Sequence, residues 1–254
     1  MPDPSSPSNR YERLICGIFL ARWREGITEV AFTRNDVVAQ AASEGIVLPK
    51  NLGDVIYTFR YRQALPETVT FTQPAGFEWV IEGVGTARYA FRLVPVSRIL
   101  PNENFVVIDI PEATPEIVRR HALSDEQALL AIVRYNRLLD VFLGVATYSL
   151  QNHLRTNVAG IGQIEIDELY VGIDRQGTQY VIPVQAKARK DRVGIVQAKQ
   201  DIAFCESRFP TLACRAISAQ FRHDKVVVLF ELTLVDGQVR ILDERHYRLK
   251  RDAS

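Results

Sequence analysis

The sequence predicts a two-part protein of mixed helix and strand structure, α/β or α+β in class, and two observations predict it. Apolar residues recur at helical spacing through much of residues 11–62. After residue 157 the pattern becomes strand, strand, helix and further strands, which indicates a core with a mixed β-sheet. A chain of 254 residues is long enough for one large or two small domains.

The composition narrows the classes of function. Thirty-one Lys and Arg against 30 Asp and Glu give a net charge of +1, so no overall field attracts nucleic acid or a membrane. A polyanionic partner must therefore be met by a local patch. The three cysteines (Cys16, Cys205 and Cys214) form no CxxC pair, which favours a reducing cytoplasm and argues against a zinc cage or disulfide scaffold.

The first ten residues, Met1–Arg10, carry three prolines and three serines without an apolar run. They predict a disordered tail rather than a signal peptide. The most apolar stretches are Leu14–Ala21, Leu138–Leu150 and Val226–Val235, and each is shorter than the roughly 20 apolar residues that span a bilayer. We therefore expect a soluble cytoplasmic protein with no membrane partner.

Three helices are predicted in the N-terminal part. The first covers Tyr11–Trp23 and ends near Gly26. The second begins after Thr33, with Asp36 completing a capping box, and ends at Gly45. The third covers Lys50 to about Arg62, and its apolar residues form one face: Leu52, Val55, Ile56 and Phe59.

Three strand-like runs follow at Thr68–Gln73, Phe77–Val84 and Ala87–Val94, and glycines at 83 and 85 would turn the last two as a hairpin. Three helices and a hairpin are the order of a winged helix, so residues 11–100 are interpreted as a winged-helix-like DNA-binding domain. Its third helix would present a basic and aromatic set to DNA: Lys50, Asn51, Tyr57, Thr58, Tyr61 and Arg62. The alternative is a solvated face that contacts protein or nothing.

Residues 101–254 are interpreted as a helical connection and a second domain. A short strand is predicted at Phe105–Ile110. A helical region then starts at the N-cap Ser124 and runs to about His153, as two helices or as one helix kinked near Gly144. The remaining elements are strands, apart from one helix at Arg192–Phe209: Gln163–Ile173, Gln179–Ala188, Cys214–Phe221, Val226–Val235 and Arg240–Leu249.

The most informative residues lie on the first two of these strands. Side chains alternate along a strand, so Glu165 shares a face with Asp167, and Gln185 shares one with Lys187. If the strands pair through the turn at Asp174–Thr178, a carboxylate, an amide oxygen and an ammonium converge. Phosphodiester hydrolysis uses such a set, because oxygen ligands hold Mg²⁺ and a cation stabilises the developing charge.

At these residues the sequence resembles the PD-(D/E)xK nuclease superfamily, the fold of many restriction endonucleases. Val184-Gln-Ala-Lys187 after Glu165-Ile-Asp167 is similar to the variant in which Gln replaces the second acidic residue. The resemblance covers about residues 155–225. It implies a helix after the lysine and then a further strand.

The resemblance implies that Asp167 binds metal and that Gln185 is the second ligand or orients the water. Lys187 would position the attacking water, and the Ala186 carbonyl would be a further ligand. Because Gln185 is neutral, a second carboxylate is expected from Glu165 or from Glu168, with Glu165 favoured since it shares the face of Asp167. Pro183 departs from a regular strand, because it cannot donate to the ladder and so implies an edge or a bulge.

Other chemistries lack their motifs. No GxxxxGK[ST] sequence occurs, so no nucleotide cofactor is expected. The four histidines (His121, His153, His223 and His246) have no metal-ligand spacing. A histidine general base at His153 is left open.

The sequence therefore predicts an endodeoxyribonuclease that uses Mg²⁺, or Mn²⁺ as a substitute, and most simply a sequence-specific type II restriction endonuclease. Double-stranded DNA is the expected partner, and a palindromic target would imply a homodimer. Phosphate contacts are also expected from a basic run after the motif: Arg189, Lys190 and Arg192. The alternatives are a modification-dependent or structure-specific repair nuclease, a non-catalytic DNA-binding regulator, and a hairpin whose polar residues simply face water.

Overall fold

The structure, a computed structural model, describes residues 7–95, 99–122, 124–187, 194–222 and 225–251. It is a mixed α and β protein, and it divides into two compact units. Unit 1 comprises residues 1–96 and 157–163, and unit 2 comprises residues 97–156 and 164–254. The division lies close to the predicted boundary at residue 100, although no sequence pattern predicted that residues 157–163 belong with unit 1.

Unit 1 contains four α-helices and a three-stranded antiparallel sheet of order β1-β3-β2 within its described residues. Its elements in chain order are α1 Pro7–Arg22, β1 Glu29–Thr33, α2 Arg34–Glu44, α3 Gly53–Tyr57, a π-helical turn Thr58–Arg62, α4 Glu67–Thr70, β2 Phe77–Gly85 and β3 Arg88–Pro95. Its core joins α1 to the hairpin, where the Phe19 ring meets Trp79 and Phe91 edge to face.

Helix α2 confirms the capping prediction in detail. The Thr33 hydroxyl accepts from the Asp36 amide, and the Asp36 carboxylate accepts from the Thr33 amide, so two helix-end donors are satisfied reciprocally. The helix ends at Gly45, whose φ of 64° is the left-handed conformation that glycine adopts without steric cost.

Three predictions in unit 1 are wrong in their bounds or type. The expected tail over residues 1–10 is wrong for residues 7–10, because α1 already begins at Pro7, a residue tolerated in a first helical turn. The third helix begins at Gly53 rather than Lys50, since the Asn51 side chain accepts from the Gly53 amide. The strand expected at Thr68–Gln73 contains the short helix α4, where Thr70 and Thr72 hydroxyls bond to backbone carbonyls within the same turn.

Unit 2 is built on an eight-stranded mixed sheet of order β4-β11-β10-β9-β7-β6-β5, with β8 also pairing with β7. Its elements are β4 Val107–Pro111, α5 Glu116–His121, α6 Asp125–Tyr135, α7 Leu138–Leu143, β5 Ala146–Val158, β6 Gly162–Ile173, β7 Gln179–Lys187, α8 Ile195–Arg208, β8 Ala213–Cys214, β9 Ala216–Phe221, β10 Val227–Val235 and β11 Gln238–Lys250. Most strands match the predicted runs within a few residues.

One long prediction in unit 2 is wrong. The helical region expected from Ser124 to about His153 ends at Gly144, whose φ is 68°, and β5 begins at Ala146. Most β5 side chains are exposed, and the strand lies beside β6 at the end of the sheet.

Helices cover both faces of the sheet. Helices α6 and α7 pack on one face, against side chains such as Tyr170, Val184 and Ala186. Helix α8 packs on the other face, where Ala198 and Ile202 meet Val228 and neighbouring side chains. Residues of β6 and β7 that alternate along the strand therefore face different helices.

Pro183 lies inside the sheet rather than at an edge, since β7 has β6 on one side and β8 and β9 on the other. The missing proline N–H is accommodated because the parallel partner of β7 is interrupted there. Pairing passes from Val181–Cys214 on β8 to Val184–Ile217 on β9, and within these described strands no residue pairs with Pro183 on that side.

We expect Thr33→Ala to lower the free energy of unfolding by about 1 kcal/mol, because it leaves the Asp36 backbone amide of α2 without its side-chain acceptor. Urea denaturation measures this change. Thr28→Ala, at an exposed position before β1, is the matched control and should change stability by less than about 0.5 kcal/mol. Equal effects of the two substitutions would contradict the capping role.

Candidate functional site

The candidate site lies where β6 and β7 stop pairing. Their antiparallel register runs from Ile173–Gln179 to Glu168–Val184 and is not continued beyond that pair. On its other side β7 stays paired with β9 as far as Lys187–Gln220. The end of β7 is thus held firmly on one side and open on the other, which leaves room for side chains between the two strands. We call this place the fork.

Side chains take over the hydrogen bonds that the ladder gives up at the fork. The Asp167 carboxylate accepts from the Ala186 amide at 2.8 Å. The side-chain amide nitrogen of Gln185 donates to the backbone carbonyl of Glu165 at 2.9 Å. These two bonds link β6 to β7 and fix the positions of two of the predicted site residues.

Gln185 makes a second contact that ties the fork to α8. Its amide nitrogen also donates to the Asp201 carboxylate at 2.9 Å. Both residues are almost completely buried, and Asp201 is 3 % exposed. A buried carboxylate without partners would be costly, so this bond is an important part of the local structure.

The predicted lysine belongs to the same group. Lys187 is 8 % exposed, and its charge acts on both Asp167 and Asp201. Burial raises the pKa of the Asp167 carboxyl, against the lowering effects of the Ala186 amide and the Lys187 ammonium. Burial likewise raises the pKa of Asp201 well above its ordinary value. The structure therefore brings Asp167, Gln185 and Lys187 together, as the sequence predicts.

Glu165 lies beside this group and also contacts β5. Its carboxylate is 3.2 Å from both the Arg155 guanidinium and the His153 ring nitrogen. The Glu165 charge raises the pKa of Asp167, which places the two carboxylates near one another on one face of β6. His153, which the sequence left open as a base, is exposed and sits at the rim of the site.

Glu168 belongs to a different cluster. It points to the sheet face covered by α6, where its carboxylate binds the Arg134 guanidinium and the Tyr170 hydroxyl. It is 3 % exposed, and burial raises its pKa. Of the two acids considered from the sequence, Glu165 alone shares the face of Asp167.

Asp201 is the site residue that sequence reasoning missed. The signal was present, because Asp201 lies three residues after Ala198 and four before Cys205, on the apolar stripe of an amphipathic helix. A carboxylate on such a stripe is buried by its position and needs a partner. Only the packing of α8 on β7 identifies Gln185 as that partner.

The donor set suits a hard cation. The fork offers Asp167 and Glu165 carboxylates, the Gln185 amide oxygen and the Ala186 carbonyl, and oxygen ligands of this kind are those that Mg²⁺ prefers. In the described parts of the chain no three His, Cys, Asp or Glu side chains group closely enough to hold a metal ion by themselves. A cation at the fork would therefore also need the amide and backbone oxygens.

The residues proposed for DNA contact have varied surroundings in unit 1. Lys50 is exposed, and the Tyr57 and Tyr61 rings lie 4.8 Å apart, with the Arg60 guanidinium over Tyr61. The Asn51 side chain is already engaged, because its Oδ1 accepts from the Gly53 backbone amide at the start of α3. Thr58 was wrongly assigned to this set, because its buried hydroxyl donates to the Asp54 carbonyl.

Several basic residues predicted to contact DNA lie wholly or in part outside the described residues. The side chain of Arg62 lies outside the described residues, as does the whole run that contains Arg189, Lys190 and Arg192. Their expected phosphate contacts stay predictions from the sequence.

Comparisons with known proteins add one partial similarity. No family model and no solved structure matches the chain. Over 99 residues the chain is 33 % identical to the N-acetyl-D-glucosamine kinase of Erwinia tasmaniensis, a match that covers 38 % of this chain and 32 % of the kinase. The chain thus matches about a third of that relative's length, which assigns neither family nor activity.

Among the helices of the described segments, none is both long and apolar enough to cross a membrane.

The raised pKa of Asp201 predicts a pH-dependent difference between the protein and Asp201→Asn. Between the ordinary Asp pKa, about 3.9, and the raised value, the folded state holds more protons than the unfolded state. The contribution of Asp201 to stability is therefore present at low pH and lost as the pH rises. We expect Asp201→Asn to gain stability relative to the parent protein as the pH rises from 4 to 8, measured by urea denaturation.

Asp174→Asn is the matched control, because hydrogen bonding from Tyr180 lowers the pKa of Asp174. Its effect should have the opposite sign, with a loss of relative stability that grows as the pH rises through the ordinary Asp range. Parallel stability curves for Asp201→Asn and the parent would contradict the assignment.

Proposed function

We propose that this protein is a metal-dependent endonuclease that hydrolyses phosphodiester bonds of double-stranded DNA. The observation that carries the proposal is the fork, where Asp167, Gln185 and Lys187 meet at the end of two paired strands. A sequence-specific type II restriction endonuclease is the form we favour. A modification-dependent or repair nuclease is the alternative within the same chemistry.

The order of elements around the fork supports the proposal. The PD-(D/E)xK resemblance implied a helix after the lysine and then a strand, and α8 and β9 follow Lys187 in that order. Strand β9 also pairs parallel to β7, which holds the end carrying Gln185 and Lys187 in place. Rigid elements position catalytic groups better than loops do.

Each residue at the fork has a proposed role. Asp167, with Glu165 beside it, and the oxygens of Gln185 and Ala186 would hold Mg²⁺, or Mn²⁺ in its place. When bound, the cation polarises the phosphate and lowers the pKa of a water molecule. Lys187 would orient the attacking water and stabilise charge that develops on the phosphate. The resemblance further implies in-line attack and products with a 5′-phosphate.

We expect purified protein to cut plasmid or phage DNA into discrete fragments in Mg²⁺. Lys187→Met should lower the rate by about 10²-fold or more, because it removes a cation that acts on the reacting groups. Asp167→Asn should have a similar effect. A gel assay measures both, with a chelator as the metal control.

Two variants control for nonspecific damage. Lys250→Met removes an exposed lysine paired with Asp109, and Glu168→Gln changes a buried carboxyl on the opposite sheet face. Both should keep the parental rate if folded. The catalytic proposal fails if unmodified, methylated and branched DNA all remain intact, or if Lys187→Met cuts as fast as the parent.

A non-catalytic DNA-binding regulator is the second candidate, and unit 1 favours it. Within its described residues the unit has four α-helices ahead of the β2–β3 hairpin, and the exposed Lys50 lies on the segment that leads into α3. A regulator would shift DNA in a gel without any metal-dependent cutting. A nuclease would shift DNA in a gel and would also cut it when the metal is present.

Lys50→Ala tests the DNA contact of unit 1 under either candidate. Removing one phosphate contact should weaken binding about equally on all sequences and reduce the slope of log affinity against log salt by about one. Titrations of labelled duplex DNA at several salt concentrations measure the slope. A slope unchanged from the parent, and equal to that of Lys250→Met, would exclude Lys50 from the interface.

A further inference from the structure

The neutral Gln185 poses a specific problem for a metal site. An amide has a donor end and an acceptor end, and only its oxygen can bind a cation. A carboxylate needs no such orientation, since both its atoms are oxygens. A glutamine at this position therefore requires neighbours that hold the amide in one orientation.

The structure supplies two such neighbours. The Glu165 carbonyl, which can only accept, lies 2.9 Å from the Gln185 amide nitrogen. The Asp201 carboxylate lies 2.9 Å from the same nitrogen, on the side of α8. Together they occupy both N–H groups, so the amide oxygen, on the opposite side of the planar group, is directed away from both acceptors.

We propose that Asp201 is a positioning residue that fixes the Gln185 amide so that the amide oxygen serves as a ligand for a divalent cation. This inference rests on the proposed function. Position 201 must therefore offer a hydrogen-bond acceptor whenever position 185 carries an amide. The side chains at 185 and 201 act as a complementary pair of one donor and one acceptor.

The burial of the pair explains why the orientation would be maintained. Gln185 is 5 % exposed and Asp201 is 3 % exposed, so water cannot readily replace a lost bond. The two residues line one small pocket together with Lys187 and Ser218. Asp201 thus acts on the site through Gln185 and need not itself touch the cation or the DNA.

The complementary-pair rule predicts a pattern across four variants. Asp201→Leu removes the acceptor and should weaken Mn²⁺ binding on the order of 10-fold to 100-fold. Asp201→Asn can still offer an oxygen to Gln185 and should stay within a few-fold of the parent. Gln185→Glu faces two acceptors without a donor and should lose affinity. Adding Asp201→Asn to Gln185→Glu restores one amide donor to the pair, and affinity should recover.

The experiment is titration calorimetry of the full chain with Mn²⁺ in the absence of DNA, with thermal unfolding of each variant measured alongside. Asp201→Leu should lower Mn²⁺ affinity while leaving the melting temperature unchanged or higher, since it removes a buried carboxyl. If Asp201 were merely structural, Asp201→Leu would lower the melting temperature and leave the Mn²⁺ affinity unchanged. Ser218→Ala, in the same pocket, should change the affinity by less than about twofold.

The outcomes separate this inference from the proposed function. If Asp201→Asn loses as much affinity as Asp201→Leu, Asp201 is a direct ligand and the positioning role is overturned. If the double variant fails to recover affinity while remaining folded, the pair rule is also overturned. If the pattern holds but no DNA is cut, the pair stands and the nuclease proposal fails. If the parent cuts DNA and the pattern is missing, the pair rule fails and the nuclease proposal stands. A parent that binds no Mn²⁺ overturns this inference, and the cutting assay alone then decides the nuclease proposal.

Discussion

The site depends on one constraint, the separation of β6 and β7 after the Glu168–Val184 pair. Backbone groups released there need new partners, because buried N–H and C=O groups are rarely left unpaired. The Asp167 carboxylate accepts from the Ala186 backbone amide, and the Gln185 side chain donates to the Glu165 backbone carbonyl. These polar side chains thus provide the hydrogen bonds that the β6–β7 ladder no longer makes beyond this pair. The paired part of the two strands holds the same side chains in position.

The two faces of the sheet carry polar groups of different kinds. On the face of α6, Glu168 is neutralised by Arg134 and bonded by Tyr170, which forms a closed cluster. On the face of α8, the acids Asp167 and Asp201 are held mainly by hydrogen bonds from an amide and a backbone N–H, with Lys187 as the nearby cation. Raised pKa values of both acids reflect this burial and are common where groups perform chemistry.

Sequence patterns were reliable where the causes were local. The α2 cap depends on Thr33, Asp36 and Gly45, which all lie within one helix and its ends. Patterns failed where distant packing decided the structure. Thr68–Gln73 has strong strand propensity, yet Val69 is fully buried in the core of unit 1 within a helical turn. The polar stretch after Gly144 forms strand β5 beside β6, which its own residues gave no means to predict.

The sequence by itself determined the mixed α and β class, the hairpin of β6 and β7, and which residues share a strand face, because alternation and turn chemistry act over a few residues. Only the tertiary structure decided where the two strands separate, why Pro183 is tolerated inside the sheet, and that Asp201 meets Gln185. Each of these depends on partners far apart along the chain. Their positions are set by the packing of α8 and β9 against β7, a long-range balance of burial and hydrogen bonding that a local pattern does not contain.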